Sequence, residues 1–291
     1  MNSVTIAADL ARAMDELPAL QPLITAFGPM LIARDMRRDE APGWLGPAPA
    51  IDSERYSQGV PILAGSGFQD RSAELPALAK ILLPVLGRSF PALAGELELL
   101  AEAIHSGRLP AQELWDAAFG QLSAVPGVSA ETMGLAAAEL ARPFIERQAV
   151  DLLALARELP WQRQVCPVCG GAPNMSVLRR VQDDAEYIQS HGGRRFLRCS
   201  CCSSEWTHKR VSCPSCGCEE PDELVVLRDP ARPFERADAC DRCKAFVLCL
   251  DSGEMVDVPH PDVAALTMLP LELKACEQGY VPMALHPWSG L

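Results

Sequence analysis

The sequence predicts an α+β protein: an N-terminal helical domain, then two four-cysteine metal-knuckle modules built on short strands, then a short C-terminal helix. Three observations carry this expectation. The chain has 12 cysteines and none precedes Cys166. Before that point, apolar residues recur at spacings of three and four, which suits helical faces. After it, short β-rich runs alternate with cysteine turns. The expected domains are residues 1–160, 161–210, 211–257 and 258–291.

Each helix has its own sequence signal. Thr5 to Met14 places Ile6, Leu10 and Met14 on one face. Glu74 to Leu86 does the same with Leu75, Leu78, Leu82 and Val85; Pro76 suits a first turn, and Pro84 marks a kink or stop. Pro91 to Ile104 and Pro110 to Leu122 each begin with a proline, where a missing N–H costs little. Ser129 is a natural N-cap for a longer helix, which Pro143 is expected to kink or split before it resumes to about Leu159. Residues 39–60, rich in proline and glycine, read as a long loop. Strands are expected at Met175–Leu178, Phe196–Arg198, Trp206–Val211, Leu224–Leu227 and Phe246–Leu250, and helix returns over 261–280, broken at Pro270.

The chemistry sits in four Cys-x-x-Cys pairs: Cys166/Cys169, Cys199/Cys202, Cys213/Cys216 and Cys240/Cys243. Two intervening residues let a tight turn aim both sulfurs at one ion, about 2.3 Å away. Sequential pairing makes one site from Cys166, Cys169, Cys199 and Cys202, and a second from Cys213, Cys216, Cys240 and Cys243. The gaps within the two sites are 29 and 23 residues, enough for a few short strands. A crossed pairing stays open at this level. Proline inside and glycine after the Cys166 and Cys213 pairs suit the turn, whereas Ser203 and Lys244 follow the other two. The similar spacing of 166–202 and 213–243 suggests an internal duplication.

Four-thiolate sites suit iron or zinc alike and leave no open position for hydrolytic chemistry. Cys201, Cys218, Cys249 and Cys276 read as buried or incidental thiols, with Cys201 or Cys218 as a reactive or relay thiol in the sharper reading. His191, His208 and His260 lie nearby, but the ligand count is complete without them. No nucleophile elbow, phosphate loop or paired-histidine zinc motif occurs, so the chain does not read as an enzyme. The net charge of -12 argues against nucleic-acid binding, despite a local cluster of Arg194, Arg195, Arg198, Lys209 and Arg210. The first residues lack a signal-peptide pattern and no apolar run spans a membrane, so a cytoplasmic protein without membrane insertion is expected. Twelve cysteines in such a chain point to metal rather than disulfides.

Cys166-Pro167-Val168-Cys169-Gly170, then Arg195-Phe196-Leu197-Arg198-Cys199, Cys202, Glu205-Trp206, Arg210-Val211-Ser212-Cys213, Cys216, Cys240 and Cys243 together resemble the formate dehydrogenase accessory protein family, FdhE. Glu277-Gln278-Gly279-Tyr280 is similar as well. The resemblance implies a cytoplasmic maturation factor that acts on the catalytic subunit of respiratory formate dehydrogenase before export. It further implies rubredoxin-like or zinc-ribbon-like modules, with iron held by the eight paired cysteines. Glu205, Trp206 and Arg210 match the pattern and read as structural support between the sites. A rubredoxin-like electron-transfer or thiol-redox protein, and a zinc-ribbon nucleic-acid binder, are the alternatives.

Overall fold

The computed structural model describes residues 3–180 and 193–289. The chain forms two compact units, Met1–Gly46 with Phe68–Gln148, and Pro47–Gly67 with Ala149–Leu291.

The first unit is helical. It contains α1 (Ser3–Glu16), α2 (Gln21–Glu40), α4 (Leu75–Ser89), α5 (Ala94–His105), α6 (Ala111–Ala117) and most of α7 (Ala130–Leu155). The short α3 (Ser53–Ser57) belongs to the second unit, capped by the Asp52 carboxylate, which accepts from the Glu54 and Arg55 N–H groups. That turn lies inside the stretch expected to be loop throughout. The face predicted for α4 is buried at Leu75, Leu78 and Leu82; Leu86 is buried in place of Val85, which is half-buried. Ser129 caps α7 as expected, its Oγ accepting from the Thr132 N–H at 3.2 Å.

Several expectations about proline need correcting. Pro84 stops nothing: α4 runs five residues beyond it. Pro143 does not split α7, which is one helix of 26 residues ending at Leu155 rather than near Leu159. A proline removes one hydrogen bond, but buried faces on either side hold the helix in register. The same misreading hid α2. Pro22 sits in its first turn and Pro29 lies inside it, so the sequence looked broken where 20 residues are helical. Gly28 has a packing reason: a Cβ there would come 3.3 Å from Leu10 Cδ1 of α1. The helix expected over 110–122 is shorter, ending at Ala117.

The second unit is built on one sheet. Its strands are β1 (Pro173–Arg179), β2 (Arg194–Cys199), β3 (Glu205–His208), β4 (Leu224–Arg228), β5 (Glu235–Cys240), β6 (Ala245–Asp251) and the two-residue β7 (Val281–Pro282). The order is β3-β2-β1-β6-β5-β4, with β7 beside the start of β6. Thus β1–β2–β3 and β4–β5–β6 are two antiparallel meanders. They join through a parallel seam in which Met175 to Leu178 pair with Leu248 to Asp251. The strand expected over Trp206–Val211 ends at His208, and β5 had no strand signal at all. The tail forms α8 (Pro261–Thr267) and α9 (Leu269–Glu277), with Pro270 in the first turn of α9.

Candidate metal centres

The two meanders carry their cysteines at equivalent places. In each, one knuckle precedes the first strand and the other lies between the second and third. The first knuckles share a hydrogen-bond pattern. Cys166 N–H donates to Gly171 O at 2.9 Å and Gly170 N–H to Cys166 O at 3.0 Å; Cys213 N–H donates to Cys218 O at 2.8 Å and Gly217 N–H to Cys213 O at 2.9 Å. Gly170 and Gly217 adopt φ of 78° and 74°. Ser203 and Lys244 hold the same left-handed conformation in the other two knuckles, with φ of 58° and 57°. The turn is therefore common to all four, and a side chain tolerates it at two of them at a cost of about 1 kcal/mol.

The sulfurs converge in sequential groups, Cys166, Cys169, Cys199 and Cys202 in one and Cys213, Cys216, Cys240 and Cys243 in the other. The crossed pairing is not formed. Within the first group, Cys166 Sγ lies 3.5 Å from Cys202 Sγ, and Cys169 Sγ lies 3.5 Å from Cys199 Sγ and 3.6 Å from Cys202 Sγ. In the second, Cys213 and Cys243 are 3.6 Å apart and Cys216 and Cys240 3.8 Å. A tetrahedron with metal–sulfur bonds of about 2.3 Å has edges of about 3.8 Å. A disulfide would need about 2.05 Å. The donor set therefore fits a tetrahedral ion and not a pair of disulfides. Val168, Gly171 and Ser215 N–H groups point at Cys166, Cys169 and Cys213 Sγ, each at 3.4 Å, as thiolate charge requires.

Without a cation these thiols cannot all ionise. Hydrogen bonding from Cys166 and its neighbours holds Cys199 low, while hydrogen bonding with Cys166 raises Cys169 and burial raises Cys202. In the second group burial pushes Cys213 up to about 12. Burial also opposes ionisation of Cys243, but the Ala245 N–H and the facing thiols outweigh it and bring the group to about 7. A bound divalent ion is what lets four adjacent thiolates coexist.

Segments remote in sequence finish each site. Ile62 and Leu63 N–H groups donate to Pro167 and Val168 O, both at 2.9 Å, so residues 61–63 form a strap over the first knuckle. Behind it Tyr56 packs on Trp161, ring centroids 4.7 Å apart. At the second site the tail does the equivalent. Val281 N–H donates to Lys244 O at 2.8 Å, and Tyr280 Oη donates to Asp241 at 2.9 Å. Neither closure was found from sequence. The proline- and glycine-rich run at 42–61 was the one hint of the strap, and the turn at Gly279-Tyr280 the hint of the tail.

The other singled-out residues have structural places. Cys201 is half-buried beside the first group; Cys218 is buried against Cys213 and Cys240. Cys249 is fully buried in the sheet and burial pushes its thiol up to about 11, whereas Cys276 is exposed on α9. His260 caps α8 by accepting from the Asp262 N–H, and burial lowers His208. His191 lies outside the described residues. Glu205 pairs with Arg179 at 2.5 and 2.8 Å, and Trp206 donates to Arg163 O at 2.9 Å, both supporting the first meander. The basic cluster is largely spent internally. Arg195 pairs with Asp238 at 3.0 Å, Arg198 with Asp262 at 2.9 Å and Lys209 with Glu219 at 2.5 Å.

The fold and sites define an α+β protein with duplicated ribbon modules, each presenting a four-thiol cage. Residues 165–210 match the family described as "FdhE, central domain". A "Protein FdhE homolog" from Aquifex aeolicus is 30% identical over 121 residues, 42% of this chain and 40% of that relative. One from Shewanella oneidensis is 31% identical over 222 residues, 73% of this chain and 65% of the relative. The match thus spans about two fifths of the Aquifex relative and just under two thirds of the Shewanella one. The crystal structure of the FdhE protein from Pseudomonas aeruginosa shares the fold, with a TM-score of 0.58 at 20% identity, over 98% of this chain and 95% of that one. The chain is thus similar to FdhE proteins in sequence across its cysteine region and in fold over nearly its whole length.

Proposed function

We infer that this protein is a cytoplasmic maturation factor for respiratory formate dehydrogenase. It binds the catalytic subunit and carries two four-cysteine iron sites, one in each meander. It is not itself an enzyme. The observation that carries the reading is the pair of four-thiol cages set in family-type knuckles. All donors in each cage are sulfur, so a bound ion has no free position for substrate. Among the described residues no helix is long and apolar enough to cross a membrane. Iron supplies a reversible one-electron change when bound; zinc in the same cages would serve structure alone.

The test is genetic and chemical together. Deleting the gene is expected to abolish formate dehydrogenase activity without removing the subunit's transcript, and the catalytic subunit is expected to co-purify with the tagged protein. Full activity in the deletion strain would refute the reading. Metal analysis of anaerobically purified protein should find two irons per chain, one per cage. The electron-transfer alternative requires a reversible potential in that material. The nucleic-acid alternative has little support, since the arginines it needs are internally paired.

A further inference from the structure

Beside the third knuckle, on the sheet face of the second meander, lies a cavity of about 190 Å³. Small-molecule sites usually run to ~300–1,000 Å³, so this one has room for a single large side chain rather than a cofactor. Its walls are apolar, from Val211, Pro214, Leu224, Val226 and Met283. Val211 and Val226 are 60% and 47% exposed, an unusual outlay of β-branched surface at one mouth. Its charged lining is three guanidiniums, Arg195, Arg210 and Arg236, against one carboxylate, Asp238, and Ser212 and the candidate ligand Cys213 line it as well. Arg195 is 2% exposed and its Nε has no hydrogen-bond partner. The local charge is therefore positive in a chain of net charge -12.

β4 forms one margin of this cavity and is the end strand of the sheet, paired with β5. Outside that pairing the Leu224 N–H donates to Pro221 O at the start of the strand, and among the described residues no other backbone hydrogen bond of 225–228 is made. An exposed apolar edge of this kind is a template for another strand. Leu224, Val226 and Arg228 share the face that carries Asp238, since Val226 pairs with Asp238.

We propose that β4 and this cavity receive an extended peptide segment of a client protein in which an acidic residue stands two positions from an apolar one, so that both share one strand face. The segment adds a strand to β4. One apolar side chain enters the cavity, and a carboxylate two positions away meets Arg228 or Arg210. Main-chain bonds supply affinity and the pocket supplies selectivity. The proposal deepens the maturation reading and rests on it for the origin of the peptide.

The probe is a fluorescein-labelled ten-residue peptide with threonine at every second position and valine and glutamate by turns between, titrated by anisotropy against the full, metal-loaded chain. Saturable binding is expected, at least ten-fold weaker for a valine–lysine peptide. Val211→Asp should weaken binding at least ten-fold, and Val226→Glu serves as the second variant if Val211→Asp loses metal. Met36→Asp, on the helical unit, should change nothing. No saturation by about 1 mM peptide, equal affinity for both peptides, or no effect of either valine variant would overturn the proposal. So would a concentration-dependent dimer abolished by Val211→Asp, which would give the edge to a second copy of the chain. Loss of formate dehydrogenase activity on gene deletion alongside a failed titration would remove the docking edge alone; a successful titration with activity intact would remove the maturation reading alone.

Discussion

Each site has one half-buried thiol, Cys169 and Cys243, but the other three of the first site are no more than 2% exposed, whereas at the second Cys216 is exposed. The same turns build both. What differs is what arrives from elsewhere. The strap at 61–63 bonds directly across Pro167 and Val168, over the first knuckle's two central residues. The tail at 280–281 bonds to the fourth knuckle and leaves the third, with Cys216, uncovered. Knuckle chemistry thus specifies ligand geometry locally, while access to the ion is set by distant segments.

The strongest way to break this comparison is to remove a ligand on each side. Cys199→Ser is expected to lose one metal equivalent and lower Tm by more than about 10 °C, since a structural four-ligand site contributes ~10 kcal/mol or more. Cys216→Ser should also lose one equivalent but melt measurably higher than Cys199→Ser. Equal melting points would show that burial does not separate the sites. A colorimetric chelator sharpens the point without mutation. Release should be biphasic, the first equivalent leaving at least about ten times faster because Cys216 is open to attack, and Cys216→Ser should abolish the fast phase. A single phase would contradict the roofed-and-open distinction.

The duplication offers a finer test. Gly171 and Cys218 hold equivalent positions, each accepting from the first cysteine of its knuckle. A Cβ on Gly171 would lie 3.0 Å from Cys199 Sγ and 3.4 Å from Cys169 Sγ. Gly171→Ala should weaken metal binding at the first site about ten-fold or more, as changes next to ligands do. Cys218→Ala should leave the second site nearly unchanged, as competition with a chelator would show.

Tyr56 reports closure of the roof. Burial, and then the charge of Cys166, pushes its hydroxyl up to about 12. This folded value lies above the unfolded one of about 10, so the linked stability is complete below pH 10 and is lost as pH rises through 12. Ultraviolet titration should show a tyrosine ionising near pH 12, a step absent in Tyr56→Phe, while Tyr280, raised by burial and by its bond to Asp241, still ionises late in that variant. Absence of any step near pH 12 that Tyr56→Phe removes would mean the roof is open. The smallest effect is expected at Ser203. Ser203→Gly relieves the left-handed strain but adds chain entropy, a net gain of under about 1 kcal/mol, seen as a small rise in Tm.

The eight cysteines and their grouping were legible because metal ligation fixes spacing over a few residues. α4, the cap of α7 and most strands were legible for the same local reason: periodicity and turn chemistry act within one element. α2 was not, because Pro22, Gly28 and Pro29 mimic a breaker when packing against Leu10 is unseen. β5 was not, because Glu235-Arg236-Ala237-Asp238 has no strand pattern. Its charges are paired, Arg236 with Asp238 at 2.9 Å and Arg195 with Asp238 at 3.0 Å, and only tertiary structure makes them compatible with a sheet interior. The strap was invisible for a simpler reason, that nothing in 61–63 names its partner at 167–168.

That strap also sets an order of events during synthesis. Residues 61–63 leave the ribosome roughly a hundred residues before the knuckle they cover, and a contact of that separation forms late. Until Cys202 has emerged the first cage lacks a wall, whereas the strap's partners, Pro167 and Val168, emerge earlier. Closure by the strap is therefore not tied to completion of the cage. The second cage, completed by Cys243 and the bonds of residues 280–281, has no comparable cover over Cys216 among the described residues. The two cages thus differ in the source of their cover: for the first it precedes the knuckle in the chain, and for the second it follows.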